Sequence, residues 1–486
     1  MDSTAINNFN SDLAVSLSAF WSYFPIVFLA GVILISIAIE MYSKSSKKIL
    51  PWFTVTALLA CAYYSLLTVT DTGVYFSGMF ATGGLTNIFN FIFTFGGAIV
   101  VLLSVDYIKK SGIYYGEFYI LLQSAVLGMM MIAGAKDMIM IFIGLEQMSI
   151  TFYVMAGLNR KRASSNEAAL KYFLLGAFAT GFIVYGIGLM YGTAGTLNID
   201  FVFSNIFAAE KNLPGIIGIL LFLVGFSFKI GAVPFHMWVP DVYQGAPTSS
   251  TALMATGGKV AAFTALILAF RPVLGTETLA VITPVLAVFA LLSMFYGSIV
   301  AIAQTDIKRM LAYSSIANAG YMLIGLAAGN DYGIEGVVYY LAAYSFMNLG
   351  AFGIVALIES ADEKNLLISD YNGLGTKYPV LAALLSLFMF ALSGIPPFAG
   401  FFGKYYIFIA AIESNLTWLA IAGVIASVIS VYFYLRIVVL MYFGKGESQV
   451  TPEITNASLI GIVISALLVI VMGVFPGSVI NLISNF

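Results

Sequence analysis

Apolar runs of about 20 residues, the length needed to cross a bilayer, follow one another along the chain with short polar connections between them. They fall near 21–42, 50–69, 84–104, 115–133, 138–157, 168–192, 214–238, 248–270, 279–303, 309–328, 334–358, 379–411, 416–442 and 457–481. Fourteen such runs predict an all-α polytopic membrane protein. The twelfth is too long for one straight span and is interrupted by GIPPF at 394–398; the seventh is broken in the same way around Pro234. Proline removes an amide donor, and a membrane tolerates the freed carbonyls only where protein or cavity water satisfies them. Two broken helices five spans apart point to an inverted repeat of spans 4–8 and 9–13, because an odd number of spans reverses the orientation of the second unit. The predicted organisation is a three-helix segment at 1–112, one five-helix repeat at 113–271, a second at 272–445 and a final helix at 446–486.

The charges in the connections test the count. Odd-numbered connections hold Lys44, Lys47, Lys48, Lys109, Lys110, Arg160, Lys161, Arg162, Lys308, Arg309, Lys364, Lys377 and Lys445, whereas even-numbered ones hold only Lys136, Lys211 and Arg271. Cytoplasmic loops are enriched in Lys and Arg, so both termini are expected on the outer side of the membrane. Before the first run, MDSTAINNFNSDLAVS has no basic stretch of the kind that opens a cleaved signal, and that run is expected to stay.

Composition narrows the function. A chain that is 61% hydrophobic and 9% charged has no soluble surface, and a net charge of −2 excludes a basic nucleic-acid interface. Cys61 and His236 are the single cysteine and histidine, so neither a disulfide nor a haem, zinc or iron–sulfur site is supported. No glycine-rich nucleotide motif is present. No cofactor is therefore expected in this chain, and its energy must come from an ion gradient or a partner.

The chemistry that remains lies within the apolar runs. A lysine at the centre of a membrane helix costs about 2.5–3.5 kcal/mol on insertion scales and normally faces a bundle interior or wet cavity. Lys229 lies in run 7, Lys259 in run 8 and Lys404 just past the break of run 12. Glu146 in run 5 is the natural partner of Lys229, and a changing separation between them would change the lysine's hold on its proton; the plain alternative is a static ion pair locking two helices. Lys259 has hydroxyl residues before it and no carboxylate on its own run, which suits a group that takes and releases a proton. Lys404 could instead extend to the headgroups. His236, between Pro234 and Pro240, is a candidate relay or a packed residue of the helix break. Glu167 and Lys171, four apart, read as a helix-surface pair, and Asp241, Tyr243 and Gln244 as lining for the connection to run 8.

The string FKIGAVPFHMWVPDVYQGAPTSSTALMATGGKVAAF resembles the antiporter-like membrane subunits of respiratory complex I. The resemblance continues through LEQMSITFYVMAGLNR, EAALKYFLLGAFATGFIVYG, QTDIKRMLAYSSIANAGYMLIG and LSGIPPFAGFFGKYYIF, and so covers nearly the whole chain. LKYFLLGA at the start of run 6, Lys404 in GKYY and an ending soon after run 14 resemble the N type, the bacterial counterpart of mitochondrial subunit 2. The resemblance implies a non-redox, proton-translocating subunit. Glu146 would pair with Lys229, Lys259 would be the central proton carrier, and Lys404 would lead to the outer side. NAD, FMN, iron–sulfur clusters and quinone would belong to other parts of the parent complex. The implied partners are the M, L, K, J, A and H types of membrane subunit, through them the peripheral redox arm, and the lipid bilayer. A subunit of a Mrp-type Na⁺/H⁺ antiporter shares the same motifs.

Overall fold

In the computed structural model, which describes residues 3–360, 364–444, 448, 450–452 and 454–486, nearly every apolar run becomes helix. Helices α1 (Ser3–Tyr42), α2 (Ser46–Leu67) and α3 (Gly84–Lys110) come first, with strands β1 (Gly73–Tyr75) and β2 (Phe80–Thr82) pairing antiparallel between α2 and α3. Next come α4 (Glu117–Ala133), α5 (Met138–Ala156), α6 (Ala163–Ala194), a short α7 (Ile199–Ala208) and α8 (Leu213–Ile230). Beyond a break lie α9 (Trp238–Gly245), α10 (Thr248–Leu253) and α11 (Lys259–Phe270), the last two joined by a π-helical turn, Met254–Gly258. Helices α12 (Glu277–Ile302), α13 (Ile307–Ala328), α14 (Asp331–Ile358) and the single turn α15 (Leu374–Lys377) lead to α16 (Pro379–Ser393) and, past a second break, α17 (Ala399–Glu413). The described chain ends with α18 (Thr417–Phe443), α19 (Asn456–Val474) and α20 (Pro476–Ser484). Lys445 and the expected boundary at 445/446 lie outside the described residues.

Among the described residues, 12 helices are long and apolar enough to cross a membrane. The 17-residue Glu117–Ala133 and the 15-residue Pro379–Ser393 helix fall short of that length. The apolar stretch of α13 is buried along 100% of its length and those of Thr248–Val273 and α14 along 94%, against 22% for α1 and 33% for α6. The helices that hold Lys259 and its partners are thus the centre of the bundle, with α1 and α6 on the outside.

Glycines allow two of the closest crossings. A Cβ on Gly128 of α4 would stand 2.7 Å from the Gly144 carbonyl of α5, and one on Gly144 would stand 2.8 Å from the Gly128 carbonyl. Gly186 of α6 and Gly218 of α8 meet in the same reciprocal way at 2.7 Å. With apolar tails on every side, close backbone approach supplies packing that burial from water cannot. These crossings fix the height of α5 beside α4, two residues from Glu146, and of α8 beside α6.

A short β-bridge appears twice. Asp137 pairs with Asn198, and Asp306 with Leu367, each antiparallel, and the sequence separation is the same in both pairs. The hydrogen bonds also correspond: Met138 N donates to Leu197 O (3.0 Å) and Ile307 N to Leu366 O (2.9 Å). In each case the bridge precedes a helix capped by its own aspartate, which accepts from Ile139 N in α5 and from Arg309 N in α13.

Candidate functional site

Both breaks follow one plan. Gly231 ends α8 and Gly394 ends α16 in the left-handed conformation (φ 72° and 86°), which glycine adopts without a Cβ penalty. Val233–Pro234 and Pro396–Pro397 are cis. The carbonyls released at a helix end need donors. At the first break Trp238 Nε1 donates to Phe228 O (2.7 Å), and at the second Lys404 Nζ donates to Ser393 O (3.0 Å). The seventh apolar run is therefore not helical to 238. Lys229, expected deep in a span, lies in the last turn of α8, where the carbonyl end of the helix favours a cation.

Lys229 is 7% exposed; its Nζ donates to Ser149 Oγ (2.8 Å) and Tyr153 OH (3.3 Å) on α5. Glu146 lies one turn before Ser149 on the same face of that helix and accepts from Thr180 Oγ1 of α6 (2.8 Å). The expected direct ion pair is not made: among the described residues, Glu146 and Lys229 do not come within 4.0 Å. Ser149 stands where a carboxylate was expected.

Lys259, 3% exposed, begins α11 directly after the π turn. Its Nζ donates to Ser315 O (2.6 Å) and to the Ser315 hydroxyl on α13, and sits 5.7 Å from the centre of the Tyr344 ring on α14. Ser314 bonds Tyr434 of α18, Asn318 Nδ2 donates to Tyr434 OH (3.3 Å), and Tyr340 OH donates to Asn318 Oδ1 (2.6 Å). This polar group continues towards Lys404, which is 4% exposed, donates to Ser427 Oγ (2.9 Å) and lies 4.6 Å from the centre of the Tyr321 ring. Lys404 also floors a mostly apolar recess of about 410 Å³ between α17 and α18. It is buried against protein.

His236 stands apart from these lysines. Its ring packs on Tyr296 of α12 (centroids 4.6 Å apart), and its buried Nδ1 has no hydrogen-bond partner. No hydrogen bond joins it to Lys229 or Lys259 among the described residues.

Three features are invisible in the runs of sequence. Asp241, read as loop lining, pairs with Lys171 (2.7 Å) and Arg309 (2.8 Å), and Lys171 also pairs with Glu167 (2.6 Å). Glu167, Lys171 and Asp241 line a polar recess of about 290 Å³ together with Gln244 and Asp306. Lys308, counted as a loop charge, is fully buried and donates to Ala246 O (2.7 Å). Glu359, at the end of α14, is 1% exposed and accepts from Thr248 Oγ1 (2.5 Å) and Tyr107 OH (3.2 Å).

The arrangement can hold and release protons. It offers buried amines on hydroxyl and carbonyl acceptors, and among the described residues no group of three metal-ligating side chains. Residues 135–430 match the NADH:quinone oxidoreductase/Mrp antiporter transmembrane family. The NADH-quinone oxidoreductase subunit N 1 of Chloroherpeton thalassium is 43% identical over 96% of this chain and 98% of its own length. A chain of respiratory complex I from Thermus thermophilus superposes with a TM-score of 0.81 at 30% identity, covering 94% of this chain and 98% of that one. A chain of the Mrp complex from Dietzia shares the fold, with a TM-score of 0.83 at 17% identity over 95% and 96% of the two chains. With its lysines on buried broken helices and its full-length similarity to subunit N relatives, the chain belongs to the NADH:quinone oxidoreductase/Mrp antiporter membrane-subunit family, in its complex I subunit N branch.

Proposed function

We propose that this chain is a proton-translocating, non-redox subunit of an NADH:quinone oxidoreductase, carrying protons along Glu146, Lys229, Lys259 and Lys404. The observation that carries the reading is that three lysines lie in the bundle interior, each held by a hydroxyl and an aromatic ring and two of them by a backbone carbonyl as well, with no carboxylate in contact among the described residues. A structural lysine at that depth is expected to have an anion beside it. His236 is a weaker candidate, kept as a possible relay only through the break it occupies.

In this reading the chain makes 14 crossings: the 12 long helices, the short α4, and α16 with α17 as one broken span. Spans 4–8 and 9–13 form the two inverted units within 113–271 and 272–445, after a three-helix segment at 1–112 and before a last helix at 446–486. The twice-occurring bridge and the twice-occurring break support the repeat. The alternation of basic connections supports an inner-membrane protein with both termini outside. Ser45 is exposed and Cys61 buried. With Cys61 replaced, a Ser45→Cys variant is expected to react with an impermeant thiol reagent from the cytoplasmic side only, and labelling of intact cells from outside would reverse the orientation.

The parent complex would supply NAD, FMN, iron–sulfur clusters and quinone, and the M, L, K, J, A and H types of membrane subunit would connect this chain to the redox arm. A Mrp-type Na⁺/H⁺ antiporter is the second reading, favoured only by the shared fold. The assembled complex in liposomes is expected to acidify the lumen on NADH addition at an unchanged rate whether Na⁺ or K⁺ is the bulk cation. Sodium-dependent acidification with matching Na⁺ movement would favour the antiporter.

A further inference from the structure

Glu359 has no place in the proton path described so far, yet it is a nearly fully buried carboxylate. It ends α14 on the side that also carries Lys110 and Arg162, and Arg162 NH1 lies 3.7 Å away, its side chain 16% exposed. Thr248, the first residue of α10, donates to Glu359, and Tyr107 of α3 bonds both Glu359 and the Thr248 backbone N–H (3.0 Å). From this contact the segment α10, π turn and α11 runs along α14 until Lys259 meets the Tyr344 ring.

Near the two ends, buried polar atoms lack hydrogen-bond partners: the hydroxyls of Ser249 and Ser250 next to Thr248, and on α14 near Lys259 the Tyr344 hydroxyl and Asn348 Oδ1. On α14, Tyr344, Asn348 and Glu359 fall within about 60° of one another on an ideal helix. Buried polar groups of this kind are ordinarily satisfied by ordered water, and unsatisfied ones are costly in an apolar surrounding. A polar seam with a carboxylate at its outer end and an amine at its inner end is a proton-uptake route in form.

We propose that Glu359 is the proton-collecting residue for Lys259, feeding it along the seam between α10–α11 and α14; this rests on Lys259 carrying protons as described above. The Glu359 carboxylate takes a proton from water at the end of α14. Its O–H bond then breaks as the proton passes by way of Thr248 and seam water to the neutral Lys259 amine. An N–H bond forms there, leaving an ammonium and a restored carboxylate. The competing reading is a clamp, in which Glu359 does no more than bind Arg162 and tie α3, α10 and α14 together.

The test uses the whole complex, reconstituted with a quinone, and follows initial NADH-driven proton uptake. Glu359→Gln keeps the size of Glu359 and removes the carrier, so uptake is expected to fall by about tenfold or more, within the range a positioned proton-transfer group contributes. Glu359→Asp should recover most of that loss. Arg162→Gln should remain nearer the parent than Glu359→Gln, whereas a clamp would make the two equal and overturn the proposal. Parent-rate uptake by Glu359→Gln, with Lys259→Met inactive, would overturn the seam alone; parent-rate uptake by Lys259→Met would remove the carrier reading beneath it. If Glu359→Gln fails to assemble, Asn348→Leu leaves Glu359 and its contacts intact and breaks the seam near its inner end. A comparable fall there supports the route, and parent-rate uptake overturns it.

Discussion

A complex carrying Lys259→Met is expected to assemble and to lose proton transfer through this chain, with uptake at least about tenfold below the parent, a difference of about 1.4 kcal/mol in barrier. Methionine fills similar space in the dense centre formed by α11, α13 and α14, so packing is kept while the titrating group is removed. Lys259→Arg is the sharper variant. Its charge is retained, but a guanidinium holds its proton at every accessible pH. Moving one charge against the membrane potential costs about 2.3 kcal/mol per 100 mV. A carrier must therefore change its proton affinity by a comparable amount during each cycle. The Ser315 carbonyl and hydroxyl that hold Lys259 form a setting that such a change can act on, because moving a neutral acceptor by an ångström leaves no bare countercharge behind. Proteoliposomes containing Lys259→Arg that pump at the parent stoichiometry would remove Lys259 as an obligatory carrier.

The second large effect is expected at Glu146 and Lys229. Glu146→Gln and Lys229→Ala should each lower proton uptake by about tenfold, and the double variant should lose far less than the product of the two, as for groups acting as one unit. The geometry refines what the coupling means. Because Lys229 binds Ser149 while Glu146 binds Thr180, the two charges are neighbours along one face of α5 without touching. A Lys229 side chain swinging by one helical turn would exchange hydroxyl for carboxylate. Ser149→Ala should then alter uptake less than either charge change, since it removes a resting place and leaves both charged groups in place. Fully multiplicative losses in the double variant would show that Glu146 and Lys229 act separately.

The residues that could be read in sequence are those whose oddity is local. A lysine or glutamate within an apolar run, or a GIPPF within a helix, conflicts with its immediate neighbours, and the conflict is visible in a window of 20 residues. Lys229, Lys259, Lys404 and Glu146 were found this way, as were both breaks. The end of α8 just after Lys229 is not legible in the sequence, because the apolar run continues through Gly231 to Trp238, and hydropathy does not register a helix that ends while its sequence stays apolar. Glu359 sits at the end of an apolar run, where a charge looks like an ordinary boundary residue. Its burial comes from Tyr107 and Thr248, more than 100 residues away in each case. Asp241 was likewise legible as a polar residue of a connection, while its two cationic partners lie on α6 and α13. The hairpin Gly73–Tyr75 with Phe80–Thr82 and the short α7 are too brief to show a period.

The π turn at Met254–Gly258 has a directional consequence. In an unbroken α-helix, residues 248 and 259 would point almost the same way, since three full turns take up nearly eleven positions. One residue more in a turn delays everything after it by about 100°. Thr248 accordingly heads for Glu359 while Lys259 heads for Ser315. The amine's bearing is set by the number of residues its helix fits into one loop of backbone. Were the same residues to close as ordinary α-helix, the lysine would stay in the chain and turn about 100° away from its acceptor.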